Sequence, residues 1–232
     1  MSSVGTLNES NRIAWLEKVL KQIPAGSRIL DAGAGEQQFK KFCSHLDYVA
    51  QDFGKYDGKG DNTELQKGRW DQIKLDIISD ITSIQEPDSS FDTVICTEVF
   101  EHLPNPISAI KEFCQLLKPN GRLIITAPFC SLTHYAPYHF YSGFNRYFYL
   151  THLTTNNFEI LEMEANGNYF EYMGQEIRRI PAMAEKYTNK QPRRLERFVL
   201  DYILKMLDRF SKDDKGSEEL LCFGYHILAK KK

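Results

Sequence analysis

Residues 28–39 read Arg-Ile-Leu-Asp-Ala-Gly-Ala-Gly-Glu-Gln-Gln-Phe. The apolar pair Ile29-Leu30 runs into a carboxylate, Asp31, and then into Gly33 and Gly35. A buried strand that stops at an acid and two glycines brings bare backbone to the edge of a ligand site. Such an edge belongs to an open parallel sheet, and the rest of the chain has to supply the other strands and name the ligand.

It supplies the strands in alternation with helices. A helix is expected over Asn8–Gln22, with Ile13, Leu16, Val19 and Leu20 as its apolar stripe and Pro24-Ala-Gly-Ser closing it. Strand 1 covers 28–31, and a helix carrying Phe39, Phe42 and Cys43 is expected after the glycine loop. Tyr48–Asp52 reads as strand 2, 54–70 as an exposed loop, and Asp71–Ile81 as holding a short strand 3 that ends near Asp80. Phe91–Thr97 is an apolar strand 4. The next helix is capped by Asn105, carries Pro106 in its first turn and stops at Lys118-Pro-Asn-Gly121. Its inner face is expected to be Ile107, Ile110, Cys114 and Leu117, and Arg122–Ala127 follows as strand 5. A sixth strand over Phe158–Met163, helices near 169–187 and 193–211, and a last strand over Leu220–Leu228 complete the chain. This order predicts an α/β fold with a doubly wound, mostly parallel sheet. The expectation is one domain over 1–232, with a helical insertion over about 166–217.

Composition excludes more than it selects. The net charge of −2 gives no long-range pull toward nucleic acid. No apolar run approaches the roughly 18–20 residues of a membrane span, and the N-terminus lacks the pattern of a signal peptide. Cys43, Cys96, Cys114, Cys130 and Cys222 are scattered, which suits buried free thiols better than a disulfide framework or a zinc site. A cytoplasmic protein without stable membrane insertion is expected.

Carboxylates recur at successive strand ends: Asp31, Asp52, Asp80 and Glu98. Four in series along the carboxyl edge of a parallel sheet point to a ligand. A nicotinamide dinucleotide is the first candidate, since Asp52 lies 21 residues after Asp31. However, the third glycine of that fingerprint is Gln38 here, and Asp31 and Glu36 flank a loop that would face a pyrophosphate. A ligand that is cationic at its reactive centre and lacks phosphate fits better.

On Ile29-Leu-Asp-Ala-Gly-Ala-Gly35, Asp52, Ser79-Asp80-Ile81, Phe91–Leu103 and Leu117–Thr126, the chain resembles the class I S-adenosylmethionine-dependent methyltransferases, in particular the small-molecule group. The resemblance covers about residues 25–165. It implies a Rossmann-like seven-stranded sheet with an antiparallel last strand, and S-adenosylmethionine as cofactor. It further implies that Gly33 and Gly35 let the backbone approach the methionyl part and that Asp31 lies near the ammonium. Asp52 would accept from both ribose hydroxyls and Asp80 from the adenine amino group, with Ile81 against the ring and Glu98 beside the cofactor. Where the family often has a third glycine the chain has Gln37, which leaves either a differently bent loop or an amide in the site.

Methyl transfer is an in-line displacement that gains most from alignment and dehydration, with a base needed only when the acceptor loses a proton. His102, Glu98, His134 and His139 are the candidate catalytic residues. Residues 133–149 hold eight aromatics, two histidines and Arg146 within seventeen positions, and about half of these rings are expected in the core and half facing the site. The histidines show no carboxylate or cysteine partner at ligand spacing, so no metal is expected. Strand 4 lacks both the Pro-Cys pair and the Asp/Asn-Pro-Pro-Tyr/Phe signature of enzymes that methylate bases, so no nucleic-acid substrate is expected. A small-molecule acceptor, such as a saccharide or a lipid-linked intermediate, is the leading expectation. A nicotinamide-dependent oxidoreductase and a non-catalytic cofactor-binding protein are the alternatives. The inserted helices are open to three readings: a lid, a homodimer contact, or ordinary packing.

Overall fold

Strands and helices alternate as the punctuation of the sequence requires in the computed structural model, which describes residues 2–56, 58, 64–65 and 74–232. The chain divides into two compact units, one of residues 14–164 with 224–232 and one of residues 1–13 with 165–223.

The larger unit is built on the sheet. β1 (Arg28–Ala32), β2 (Asp47–Asp52), β3 (Ile77–Ile78), β4 (Phe91–Thr97), β5 (Leu117–Pro128), β6 (Phe158–Asn166) and β7 (Gly224–Lys231) stand in the order β3-β2-β1-β4-β5-β7-β6. β1 pairs in parallel with both β2 and β4, so the strand order reverses at β1. β7 runs antiparallel to β5, with Ile124 opposite Leu228. β4 is buried along most of its length, as a strand covered on both faces must be.

The helices around the sheet follow their caps. α1 (Asn8–Leu20) buries Trp15, Leu16, Val19 and Leu20, so Trp15 takes the place expected of Ile13. The Asn105 side chain accepts from Ser108 N at the start of α2 (Pro106–Leu116). The buried face of α2 is Pro106, Ala109, Ile110, Phe113 and Leu116; of the expected Ile107, Ile110, Cys114 and Leu117, Ile110 and Leu117 are buried, Leu117 as the first residue of β5, and Ile107 and Cys114 are half-buried. α3 (Arg146–Thr155) begins at Asn145, whose side chain accepts from Tyr147 N and Phe148 N.

Two expectations are corrected. After the glycine loop there is no α-helix, only a single 3-10 turn over Lys40–Phe42, because the short crossover from Ala32 to Asp47 spends its first residues in left-handed backbone at Gly33, Gly35 and Gln37. Phe39 and Cys43 are buried all the same. The last strand is Gly224–Lys231 rather than Leu220–Leu228, since a 3-10 turn at Ser217–Glu219 uses the start of that apolar run. The short strand 3 expected within 71–81 is Ile77–Ile78, ending just before Asp80, and residues 71–73 of that range lie outside the described residues. All five cysteines are free.

The smaller unit contains α4 (Tyr169–Thr188) and α5 (Arg194–Lys212). Val4, Leu204 and Leu207 form its buried centre, with Phe170, Met173, Ile177 and Ile203 packed against them. Gly174 stands where Val4 passes, and a Cβ there would lie 3.1 Å from Val4, so a larger side chain requires Val4 to give way.

Candidate active site

The carboxyl edge of the sheet is assembled by backbone amides reaching for carboxylates and carbonyls. Gly33 N and Ala34 N donate to Gln51 O at 2.9 and 2.8 Å, which folds the loop after β1 over the end of β2. Gly35 N donates to Asp52 Oδ2 at 3.1 Å, and Gly54 N donates to Asp52 Oδ1 at 2.9 Å. The Gln51 side chain carries the network one strand further, donating from Nε2 to Ser79 O at 2.8 Å. Gly33 adopts φ +77°, and a Cβ there would lie 2.5 Å from Val99 Cγ2. Only glycine fits both the backbone and the space.

Asp31 is buried under this loop and accepts from the Tyr48 hydroxyl. Burial pushes its pKa up to about 6, opposed by the Tyr48 hydrogen bond and aided by the nearby charge of Asp52. Gln37 is buried with φ +53°; its Nε2 donates to Lys74 O at 2.8 Å and its Oε1 accepts from Lys40 Nζ at 3.0 Å. Its amide ties the loop to the segment at 74. Asp80 Oδ1 accepts from Thr82 N and Thr82 Oγ1 at 2.8 and 2.7 Å, which holds its carboxyl below the usual range, and Ile81 is buried next to it. Glu98, at φ +54°, receives the Thr126 hydroxyl on Oε1 at 2.9 Å, while its own N–H donates to Thr126 O at 2.8 Å.

Beyond the ends of β4 and β5 three histidines converge. His102 closes a 3-10 turn at Phe100–His102; its ring centroid lies 4.7 Å from that of His134 and 5.9 Å from that of His139. His102 Nδ1 pairs with Tyr138 O at 2.5 Å and His134 Nδ1 with Leu132 O at 2.8 Å. Carbonyl partners assign the proton to Nδ1 in both rings and leave each Nε2 as a lone pair. Burial drives the His102 pKa down to about 3, with the neighbouring His134 adding to the shift. Glu101 completes the group: it is fully buried, with Oε1 3.7 Å from His102 Nε2 and 3.9 Å from His134 Nε2. The Tyr135 ring lies 5.0 Å from that of His102.

The family model described as a methyltransferase domain matches residues 8–180. The chain belongs to this family of S-adenosylmethionine-dependent methyltransferases. A ubiquinone biosynthesis O-methyltransferase of Xanthomonas axonopodis pv. citri (strain 306) is 31% identical over 106 residues, covering 44% of each chain. The chain therefore spans less than half the length of the curated relatives it matches. A SAM-dependent methyltransferase from Archaeoglobus fulgidus superposes with a TM-score of 0.55 at 17% identity, covering 96% of this chain and 94% of that one. Haemonchus contortus phosphoethanolamine N-methyltransferase 2, in complex with S-adenosyl-L-methionine, gives 0.52 at 17% identity over 96% and 52% of the two chains. At that identity these structures speak for the fold alone, and it is the methyltransferase fold with its antiparallel last strand, β7.

The family match sets aside the nicotinamide reading, in keeping with Gln38 in the third glycine position. The residues also fit the methyltransferase's cofactor on physical grounds. A cradle that a Cβ at Gly33 would fill, a buried carboxylate at Asp31 and an acid with two oxygens at Asp52 suit a cationic, hydroxylated ligand. Gly33 and Gly35 bond to Gln51 and Asp52 at the end of β2, Gln51 reaches Ser79 beside Asp80, Val99 next to Glu98 stands against Gly33, and Asp31 is held separately by Tyr48. His102, His134 and His139 form a second group, and the Glu98 carboxylate accepts from Thr126. Of the rings at 133–149, Phe144 and Tyr149 are buried, Phe140, Tyr141 and Tyr147 are exposed, and the others are half-buried, fewer in the core than the expected half.

Glu101 is the residue that sequence reasoning missed. It stands next to His102 in Glu-His-Leu, and the available signal was its position in a tight turn, where neighbouring side chains can face one point. The group Glu101, His102 and His134 offers ligand atoms all within 4.8 Å of one another.

Proposed function

We propose that this chain transfers a methyl group from S-adenosylmethionine to a hydroxyl oxygen of a small-molecule acceptor held at Glu101, His102, His134 and His139. The observation that carries the reading is the convergence of those side chains past the ends of β4 and β5. When bound, the cofactor supplies an electrophilic methyl on a sulfonium. Asp31 would pair with its ammonium, Asp52 with its ribose hydroxyls, and Asp80 with its adenine amino group over Ile81. The O-methyltransferase name borne by the curated relatives supports oxygen as the receiving atom. A saccharide or a lipid-linked intermediate is within the acceptor class proposed.

His102, held neutral by burial, is a weak base, and its role is to orient the acceptor through Nε2. His134 takes the hydroxyl proton on Nε2, and the Glu101 carboxylate at 3.9 Å stabilises the resulting cation. The test is transfer of a labelled methyl group into a pool of small hydroxylated metabolites. His134→Ala is expected to lower turnover by about a hundredfold, with cofactor affinity unchanged by calorimetry. Labelled cofactor that binds tightly and never turns over would favour the non-catalytic alternative.

A second reading rests on one specific observation. Both histidines spend Nδ1 on backbone carbonyls and keep Nε2 beside Glu101, the arrangement of a divalent-cation site with supporting carbonyls. Ligands about 2.1 Å from a tetrahedral ion stand about 3.4 Å apart, close to the 3.7 and 3.9 Å found here. A cation would then acidify the acceptor hydroxyl in place of the His134 base. Loss of turnover on chelation, restored by zinc or manganese, selects this reading; turnover indifferent to chelator rejects it.

Asp31 gives the cofactor side its own test. Its folded pKa of about 6 lies above the ordinary value of 3.8, so the free protein takes up a proton there and loses stability as the pH rises through that window. Pairing with an ammonium requires the ionised form, so cofactor affinity runs the other way. It is expected to rise from about pH 5 to about pH 7 and then level off, and Asp31→Asn is expected to flatten the profile. A parent protein whose affinity does not change over that range would remove Asp31 from the ammonium site.

A further inference from the structure

α5 has two apolar faces, and its own unit covers only one. Leu204 and Leu207 are buried, with Ile203 packed beside them. Leu195, Phe198, Val199 and Tyr202 follow the i, i+3, i+4, i+7 spacing of a second stripe, and they are 73%, 68%, 47% and 64% exposed. Large side chains so exposed, and contiguous on one helix, mark a surface that something else covers.

Charge selects the occupant. At about 100° per residue, Arg194, Lys205 and Arg209 run along one flank of the exposed stripe. Lys190 and Arg193 stand in the short connection between α4 and α5. Residues 186–212 hold eight lysines and arginines against Glu196, Asp201 and Asp208, in a chain whose formal net charge is −2. A twofold contact between copies would bring these cations against their own images, which opposes association. A bilayer carrying anionic headgroups satisfies both features. Leucine and aromatic rings enter the acyl boundary, while arginine and lysine lay their stems on it and keep their heads at the phosphates.

We propose that the α4–α5 hairpin docks this protein on an anionic lipid surface, with Leu195, Phe198, Val199 and Tyr202 inserted and Arg194, Lys205 and Arg209 at the headgroups. No described helix is long and apolar enough to cross a membrane, so the helix would lie in the plane of the interface.

The experiment is sedimentation of the purified full chain with vesicles of phosphatidylglycerol mixed with phosphatidylcholine, and with vesicles of phosphatidylcholine alone. Binding is expected to the mixed vesicles and to be about tenfold weaker to the neutral ones, with added salt abolishing the difference. Leu195→Glu combined with Phe198→Glu is expected to lower partitioning at least tenfold and to leave circular dichroism and cofactor binding intact, since both side chains face solvent. Arg194→Gln and Lys205→Gln are each expected to cost about fivefold. Equal binding to both vesicle types, or none to either, overturns the proposal. So does a dimer in light scattering that the double Glu variant splits while vesicles bind neither protein.

Discussion

Asp52→Ala is expected to weaken S-adenosylmethionine binding by at least about a hundredfold. The carboxylate already receives Gly35 N at 3.1 Å and Gly54 N at 2.9 Å, one on each oxygen. An ionised carboxyl offers about four acceptor positions, so room remains for the two ribose hydroxyls. Hydrogen bonds to a charged group are each worth about 1.5–3 kcal/mol, and alanine removes the ligand contacts and the tether of the glycine loop together. Asp52→Asn keeps one acceptor oxygen and is expected to lose only about tenfold. Calorimetry on the folded variants measures this directly. An alanine variant that binds within about threefold of the parent would show that Asp52 serves the loop and not the ligand.

Gly33→Ala is expected to destabilise the protein strongly. The new Cβ would stand 2.5 Å from Val99 Cγ2 and 2.9 Å from Val99 Cγ1, on a backbone at φ +77°. Left-handed backbone costs a substituted residue about 1–2 kcal/mol, and forcing a methyl into a filled space costs about 1–3 kcal/mol more. The sum of about 3 kcal/mol is a large part of the stability of an ordinary domain. Val99→Ala removes the two methyls that clash, so the double variant is expected to regain the packing share and keep the backbone share. Urea unfolding of the four proteins separates the two. Gly33→Ala with stability within about 0.5 kcal/mol of the parent would mean that the loop yields, and the cradle would lose its claim to be rigid.

The cofactor edge was legible because it is written in short-range terms. An apolar run ending in Asp31, two glycines, and acids at the ends of later strands all act within a few residues of their own positions. β4 occupies Phe91–Thr97 as the sequence reading had it, and α2 starts at the expected asparagine cap and proline. What was missed depends on the third dimension. Glu101 points at His102 and His134 because Glu98 takes a positive φ and hands its N–H to Thr126, a residue of another strand. No spacing rule relates Glu101 to His134, 33 positions away. The helix expected around Phe39 and Cys43 failed for a related reason. Its apolar pattern was sound, but the left-handed residues Gly33, Gly35 and Gln37 use up the start of the crossover, and Phe39 and Cys43 are buried on either side of a single 3-10 turn.

The place of β7 carries a consequence for how the chain comes to be folded. β5 is complete at Pro128 and β6 at Asn166, yet the strand that lies between them is not synthesised until residues 224–231. On the ribosome, the edge of β5 that will hold Ile227 and Leu228 therefore waits through roughly a hundred further residues without its partner. During that interval a nearly finished half-sheet presents unpaired amides and carbonyls beside one of the most apolar strands of the molecule. The pairing that joins β5 to β6 in one sheet therefore falls to β7.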